Sequence, residues 1–286
     1  MDTSAVNQFL LERPFSKSTK EQYRRILENL LEIHPDPQGL TAESFLAWLN
    51  GHDTWGGAMT WLAYSAVRSF IRWAYGNSHP ALRLRIKRTN SGPQRTLTPE
   101  QARKLLNCFD DSPKGIRDKA IFATLLDTGI RSSELCKLEL DHLTINQLVL
   151  SVPVKGGAWE YGIFSEITAG YLTSWLEIRP QFARAGVKSV FVSLKGITPG
   201  HTITPGGFRA IVRTWGKAAD IGPLSPHDMR RSFATIATLA GSPTRSTQMA
   251  GRWKRINEVE RYTQALRLSS FLPYSPVKFV LGTTGD

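Results

Sequence analysis

Apolar residues along the chain fall mostly at three- and four-residue steps, the period of helices packed on one face. Residues 4–13 read as a short helix ended by Pro14. Ser16 to Thr19 offer caps for a second, whose apolar face is Tyr23, Ile26, Leu27, Leu30 and Leu31. Thr41 caps AESFLAWLN, which stops at Asn50-Gly51. The longest helix of this half is Gly56 to Tyr75, marked by Met59, Leu62, Ala66, Phe70 and Trp73. The pattern predicts a four-helix domain over residues 1–76. Residues 77–97 break it with Pro, Gly, Ser and Asn, which predicts a basic interdomain linker.

A second domain begins at Thr98-Pro99-Glu100, with helices predicted from there and over Arg117 to Leu126. Gly129 marks a turn, and Ser132 opens a short helix that leaves Glu134 about one turn beyond Arg131. From Ile145 the period falls to two. INQLVLSVPV and WEYGIFS read as strands around the turn residues KGGA, and SVFVSL reads as a further strand between two helices. The predicted fold is mainly α with two domains, one of four helices and one mostly helical with a small antiparallel sheet.

Composition adds charge to this picture. The 286 residues carry a net charge of +12; residues 1–96 hold 12 basic and 8 acidic side chains, leaving 24 and 16 for the rest. Both halves are basic, which suits a protein that grips a polyanion from two sides. Arg24, Arg25, Arg68 and Arg72 in the first domain, and Arg83, Arg85, Lys87 and Arg88 in the linker, are the candidate DNA-contacting cations; taken singly, an arginine of the first set is more often a solvated surface charge, and the linker set is otherwise a plain solvated hinge. Two cysteines, Cys108 and Cys136, sit in apolar helical patterns and read as buried free thiols. The histidines lack metal-ligand spacing and no acidic cluster suggests magnesium, so no metal and no cofactor are expected. No run of about 18 apolar residues occurs, and no membrane association is expected.

The chemistry gathers in Pro226 to Tyr262. Ser225 is a good N-cap and Pro226 a good first helical residue, so His227 and Arg230 share a first turn whose free amides and dipole favour a phosphate. Phosphodiester cleavage without a metal needs charge on the non-bridging oxygens, an in-line nucleophile and an acid for the leaving oxygen. Arg131 and Arg230 can clamp the phosphate, Tyr262 can attack, and Lys155 at the hairpin tip can protonate the leaving 5′-oxygen. His227 either bonds a phosphate oxygen or takes the tyrosine proton. Trp253 either offers its indole N–H to the phosphate or packs the Tyr262 helix in place. Glu134 holds a neighbouring basic group.

This set resembles the tyrosine recombinase (phage integrase) family. TGIRSSEL resembles its first arginine box, VKGG its hairpin lysine, HDMRRSFAT its His-x-x-Arg box and RYT its nucleophile motif. Spacing agrees: 24 residues separate Arg131 from Lys155, 32 separate Arg230 from Tyr262, and 9 separate Trp253 from Tyr262. Residues 1–76 resemble the core-binding (SAM-like) domain and 98–268 the catalytic domain. AGRWK carries a tryptophan where Gly-His is usual, similar to the Cre-like branch, and Arg231 stands where many members have a second histidine. Both read as variants that keep activity, and they argue against an ordinary chromosome-dimer-resolving Xer protein.

The resemblance implies site-specific recombination of double-stranded DNA through a 3′-phosphotyrosine and a Holliday junction, serving integration, excision or resolution. It implies a homotetramer on DNA, with room for accessory factors, acting in the cytoplasm and at the nucleoid if the host is prokaryotic. The apolar tail over 269–286, with Phe271, Leu272, Tyr274, Phe279, Val280 and Leu281, is expected to dock on a neighbouring protomer or to fold back on its own domain. The chain begins without a long extension, so no separate arm-site-binding domain is expected. The alternatives are a type IB topoisomerase-like relaxing enzyme and a DNA-binding protein without catalysis.

Overall fold

The computed structural model describes residues 4–89, 94–153 and 158–263. The chain divides into two compact units, Met1–Gly92 and Pro93–Asp286.

The first unit holds helices α1 (Ser4–Glu12), α2 (Lys17–Ile33), α3 (Ala42–Asn50) and α4 (Gly57–Tyr75). The starts of α2 and α3 are fixed by side-chain caps: the Ser16 hydroxyl accepts from Thr19 N–H, and Thr41 and Ser44 cap each other. Phe9, Leu27, Phe45 and Phe70 close the core, with the Phe9 ring edge-on to Phe70 at 5.6 Å.

The stretch expected to be a linker is built into this unit at its start. Pro80–Arg83 forms a 3-10 turn, and Ala81, Leu82 and Leu84 are buried in the same core. The reason is hydrophobic: these residues interleave with the cations and have apolar partners within reach. Tyr64 donates its hydroxyl to the Leu84 carbonyl at 3.0 Å, and Arg68 Nη1 donates to the Leu82 and Leu84 carbonyls at 2.7 and 3.0 Å. Arg68 also lies over the Tyr64 ring. Arg24 is engaged by Asn7 and Glu28, and Arg85 bonds the Leu82 and Leu84 carbonyls, whereas Arg25, Arg72, Arg83, Lys87 and Arg88 are exposed.

The second unit is built on α6 (Pro113–Thr128), preceded by α5 (Pro99–Asn107) and followed by the one-turn helix α7 (Ser132–Leu135). Three antiparallel strands come next, β1 (Leu143–Thr144), β2 (Val149–Pro153) and β3 (Trp159–Ile163), in the order β1-β2-β3. Val152 faces Glu160 and Leu150 faces Gly162 across β2 and β3. Helices α8 (Glu166–Ile178), α9 (Pro205–Ala218), α10 (Pro226–Leu239), α11 (Thr244–Ala250) and α12 (Ile256–Thr263) complete the described residues. α6 packs against both α8 and α10, and Phe122, Trp175 and Phe208 fill the core around it.

Two sequence expectations change here. SVFVSL is not a strand: the segment makes only isolated bridges, Glu139 to Ser189 and Val192 to Thr202. Side-chain donors take its carbonyls instead, with Trp175 and Arg179 on Val190, Arg179 on Ser189 and Arg117 on Val192. The strand expected from Ile145 starts late, because Ile145–Gln147 forms a 3-10 turn and Leu148 takes φ 59° before β2 begins. No helix among the described residues is long and apolar enough to cross a membrane.

Candidate active site

Arg131 is placed by a glycine. α6 ends at Gly129 with φ 56°, a left-handed turn that side chains disfavour, and a Cβ there would press into the Phe233 ring. The chain is then extended at Arg131, which is the N-cap of α7. Its backbone N–H donates to Glu134 Oε2 at 2.9 Å, and its Nη1 donates to Glu134 Oε1 at 2.6 Å. Glu134 is buried, and burial pushes its carboxyl pKa up. The hydrogen bonds from Arg131 and the charge of Arg252 outweigh this and hold it below the usual carboxylate range.

Arg230 lies on α10 and is also buried. Its Nη1 donates to the Gly129 carbonyl and its Nη2 to the Gly251 carbonyl at 2.6 Å. Three further N–H groups remain on the guanidinium, and Arg230 is 6% exposed. Burial, then the charges of Arg131 and Arg252, lower its pKa to about 10, while Glu134 and Tyr262 act in the opposite direction. It therefore stays protonated at neutral pH and carries a charge that an anion would relieve.

The guanidinium of Arg230 sits 4.3 Å from the centre of the Trp253 ring, within cation–π range. Trp253 stacks on Phe233 at 6.0 Å and meets the Tyr262 ring at 5.8 Å, forming with Ala234 and Val259 a small core of its own. Gly251 makes room for the indole, since a Cβ at that position would overlap the ring. Tyr262 is half-buried on α12, where the Thr235 hydroxyl donates to its carbonyl at 3.0 Å. His227 stands exposed in the first turn of α10, whose N-terminus is closed by a Ser225–Asp228 capping box. Desolvation, then Arg231 and Arg230, lower its pKa, which keeps it neutral at pH 7.

Arg131, Glu134, Arg230, Trp253 and Tyr262 thus converge, with His227 one turn from Arg230. Lys155 lies outside the described residues. One member of the cluster was missed by sequence reasoning. Arg252 is buried, takes φ 57° and donates to Glu134 Oε2 at 3.0 Å. The available signal was its position between Gly251 and Trp253, at the end of a helix, where a glycine would be easier. An L-residue in that conformation costs about 1–2 kcal/mol. Arg131, Lys137, Arg252 and Lys254 line a pocket of about 460 Å³ together with Glu134 and Glu160. A larger cavity, about 650 Å³, opens between the starts of α6 and α9 and contains none of these residues; the chemistry follows the charges, not the volume.

The sequence profile of the phage integrase family matches residues 95–267. The chain belongs to this family. It is 33% identical to the tyrosine recombinase XerC of Mycobacterium sp. (strain KMS) over 85% of this chain and 87% of the relative. It is 28% identical to the tyrosine recombinase XerD of Listeria monocytogenes serotype 4b over 91% and 92%. Among solved structures, it is similar to the XerH site-specific recombinase bound to a palindromic difH substrate, with TM-score 0.74 at 15% identity over 91% of this chain and 80% of that one. It is similar also to the Tn1549 transposon integrase in complex with transposon right-end DNA, with TM-score 0.73 at 16% identity over 98% of each. These structures share its fold, including the mostly helical body and small antiparallel sheet. These sequence relatives are Xer proteins by name.

Proposed function

We propose that this protein is a tyrosine site-specific recombinase that cleaves and rejoins duplex DNA, moving or resolving a DNA element. The observation that carries the reading is the convergence of Arg131, Arg230, Trp253 and Tyr262 around one cationic focus. Arg131 and Arg230 hold the non-bridging oxygens of the scissile phosphate. Tyr262 attacks phosphorus, the 3′-phosphotyrosine bond forms, and the bond to the 5′-oxygen breaks, with its proton supplied by Lys155. His227, neutral at pH 7, accepts the phenol proton or steadies a phosphate oxygen. Trp253 holds Arg230 and the Tyr262 helix in register. The phosphotyrosine conserves the phosphodiester bond, so religation to a partner strand requires no nucleotide cofactor.

In this reading residues 1–76 grip one side of the duplex, with Arg25 and Arg72 as exposed cations. Residues 77–97 add Arg83, Lys87 and Arg88, and residues 98–268 carry the chemistry. Four protomers join two sites through a Holliday junction, the 269–286 tail, which lies outside the described residues, docks on a neighbour, and accessory proteins select the outcome. The enzyme acts in the cytoplasm, at the nucleoid in a prokaryotic host.

The test incubates wild-type and Tyr262→Phe protein with fragments of the DNA flanking its own gene, traps covalent adducts in detergent and sequences the attached ends. Adducts from wild type alone at one recurrent sequence are expected. Adducts at scattered sequences indicate a topoisomerase-like enzyme, and binding without adducts contradicts catalysis.

A further inference from the structure

Arg252 is the residue whose burial the proposed chemistry does not use directly. Its side chain is only 3% exposed, and its backbone adopts φ 57°. Nη2 pairs with Glu134 Oε2 at 3.0 Å, and Nε faces Glu160 Oε2 at 3.6 Å. Nη1 reaches toward the carbonyls of Thr128 and Ala250 at 3.5 Å. The Arg252 carbonyl in turn accepts from Arg131 Nη2 at 3.2 Å.

Arg131 is therefore pinned at two points. Glu134 holds Nη1 and the Arg252 carbonyl holds Nη2. Both anchors depend on Arg252: its side chain fixes the Glu134 carboxylate, and its left-handed backbone aims the carbonyl. Glu160 adds a third connection, because it sits on β3, the strand that follows the segment carrying Lys155 in the sequence.

We propose that Arg252 is a positioning residue. Through Glu134 and its own carbonyl it sets the Arg131 guanidinium, and through Glu160 it ties the Arg131 clamp to the hairpin strand; this rests on the recombinase reading above.

Arg252→Gly suits the test, because glycine accepts the positive φ while removing the side chain. Arg252→Lys returns the charge without the fork and serves as the second variant. The first readout uses DNA-free protein and needs no activity: the nitrogen NMR signals of the Arg131 guanidinium. In the wild type the rotation of this group is expected to be slow; in Arg252→Gly it is expected to become fast. The second readout is the single-turnover rate of adduct formation at saturating protein. It is expected to fall about a hundredfold in Arg252→Gly, the effect of misplacing a clamp by about 1 Å, with DNA affinity nearly unchanged. The Arg252→Lys rate is expected to lie between the two. Unchanged Arg131 rotation, or an Arg252→Gly rate equal to the wild type's, overturns the proposal. A wild-type protein that forms no adduct overturns the recombinase reading instead, and the NMR readout then decides the role of Arg252 alone.

Discussion

The guanidinium of Arg230 lies 4.3 Å over the ring of Trp253, and the same ring meets Tyr262 at 5.8 Å. One side chain therefore touches both a candidate phosphate-binding cation and the candidate nucleophile. Removing it as Trp253→Ala opens a void beneath α12 and is expected to cost about 3 kcal/mol of stability. Trp253→Phe keeps an aromatic face and is expected to lose less than half of that. Thermal unfolding of the two variants, alongside adduct formation, checks both statements. An alanine variant as stable as the wild type contradicts the packing role.

Gly251 gives a sharper probe of the same contact. Its φ is ordinary, so alanine there brings no backbone strain, only a methyl group where the indole lies. Gly251→Ala is expected to displace Trp253 and cost about 1–3 kcal/mol, as overpacked sites do. The tryptophan band in near-ultraviolet circular dichroism reports the displacement. An unchanged band and an unchanged melting temperature count against the geometry.

Glu134 predicts an acid-dependent stability. Its folded pKa is depressed, so its contribution is complete above its unfolded value, near 4.5, and is lost as pH falls through the lower folded value. Glu134→Gln leaves Arg252 buried against a neutral partner and is expected to cost about 3–5 kcal/mol at pH 7. Wild type and variant are expected to converge as pH falls through that lower folded value. Denaturant unfolding across pH measures this, and a constant gap at all pH values contradicts it.

His227 predicts the acid limb of the reaction. Its pKa is lowered, with Arg231 among the causes, so the neutral form is present at pH 7 and is lost as pH falls below that depressed value. Arg231→Gln removes a positive neighbour and frees Asp228, whose carboxylate favours the charged ring; both effects raise the His227 pKa. The acid limb of single-turnover cleavage is expected to move to higher pH in this variant, together with the ring-proton NMR titration of His227. A limb that stays in place while the titration moves assigns it to another group.

Much of this was readable before any coordinates. The four helices of the first unit announce themselves through caps at Ser16 and Thr41 and through apolar steps such as Phe70 and Trp73, because helix signals are local. The candidate site residues could be named because phosphate chemistry restricts which residue types serve, and the structure brings Arg131, Glu134, Arg230, Trp253 and Tyr262 together. What escaped was long-range. SVFVSL has the period of a strand, but its carbonyls are taken by Trp175, Arg179 and Arg117, none of them sequence neighbours of the segment. The packing of Leu82 and Leu84 was hidden among the linker cations, and Arg252 went unread because its carboxylate partners lie more than 90 residues away in the sequence.

In the proposed reaction Tyr262 forms the covalent bond to DNA, and mapping the attachment point tests that bond. Wild-type protein trapped on a suicide duplex is digested with trypsin and nuclease, and the nucleotide-bearing peptide is sequenced by mass spectrometry. The account predicts a 3′-phosphate on Tyr262, a free 5′-hydroxyl on the released strand, and no such peptide from Tyr262→Phe. Attachment to any other residue, or through a 5′-phosphate, contradicts it.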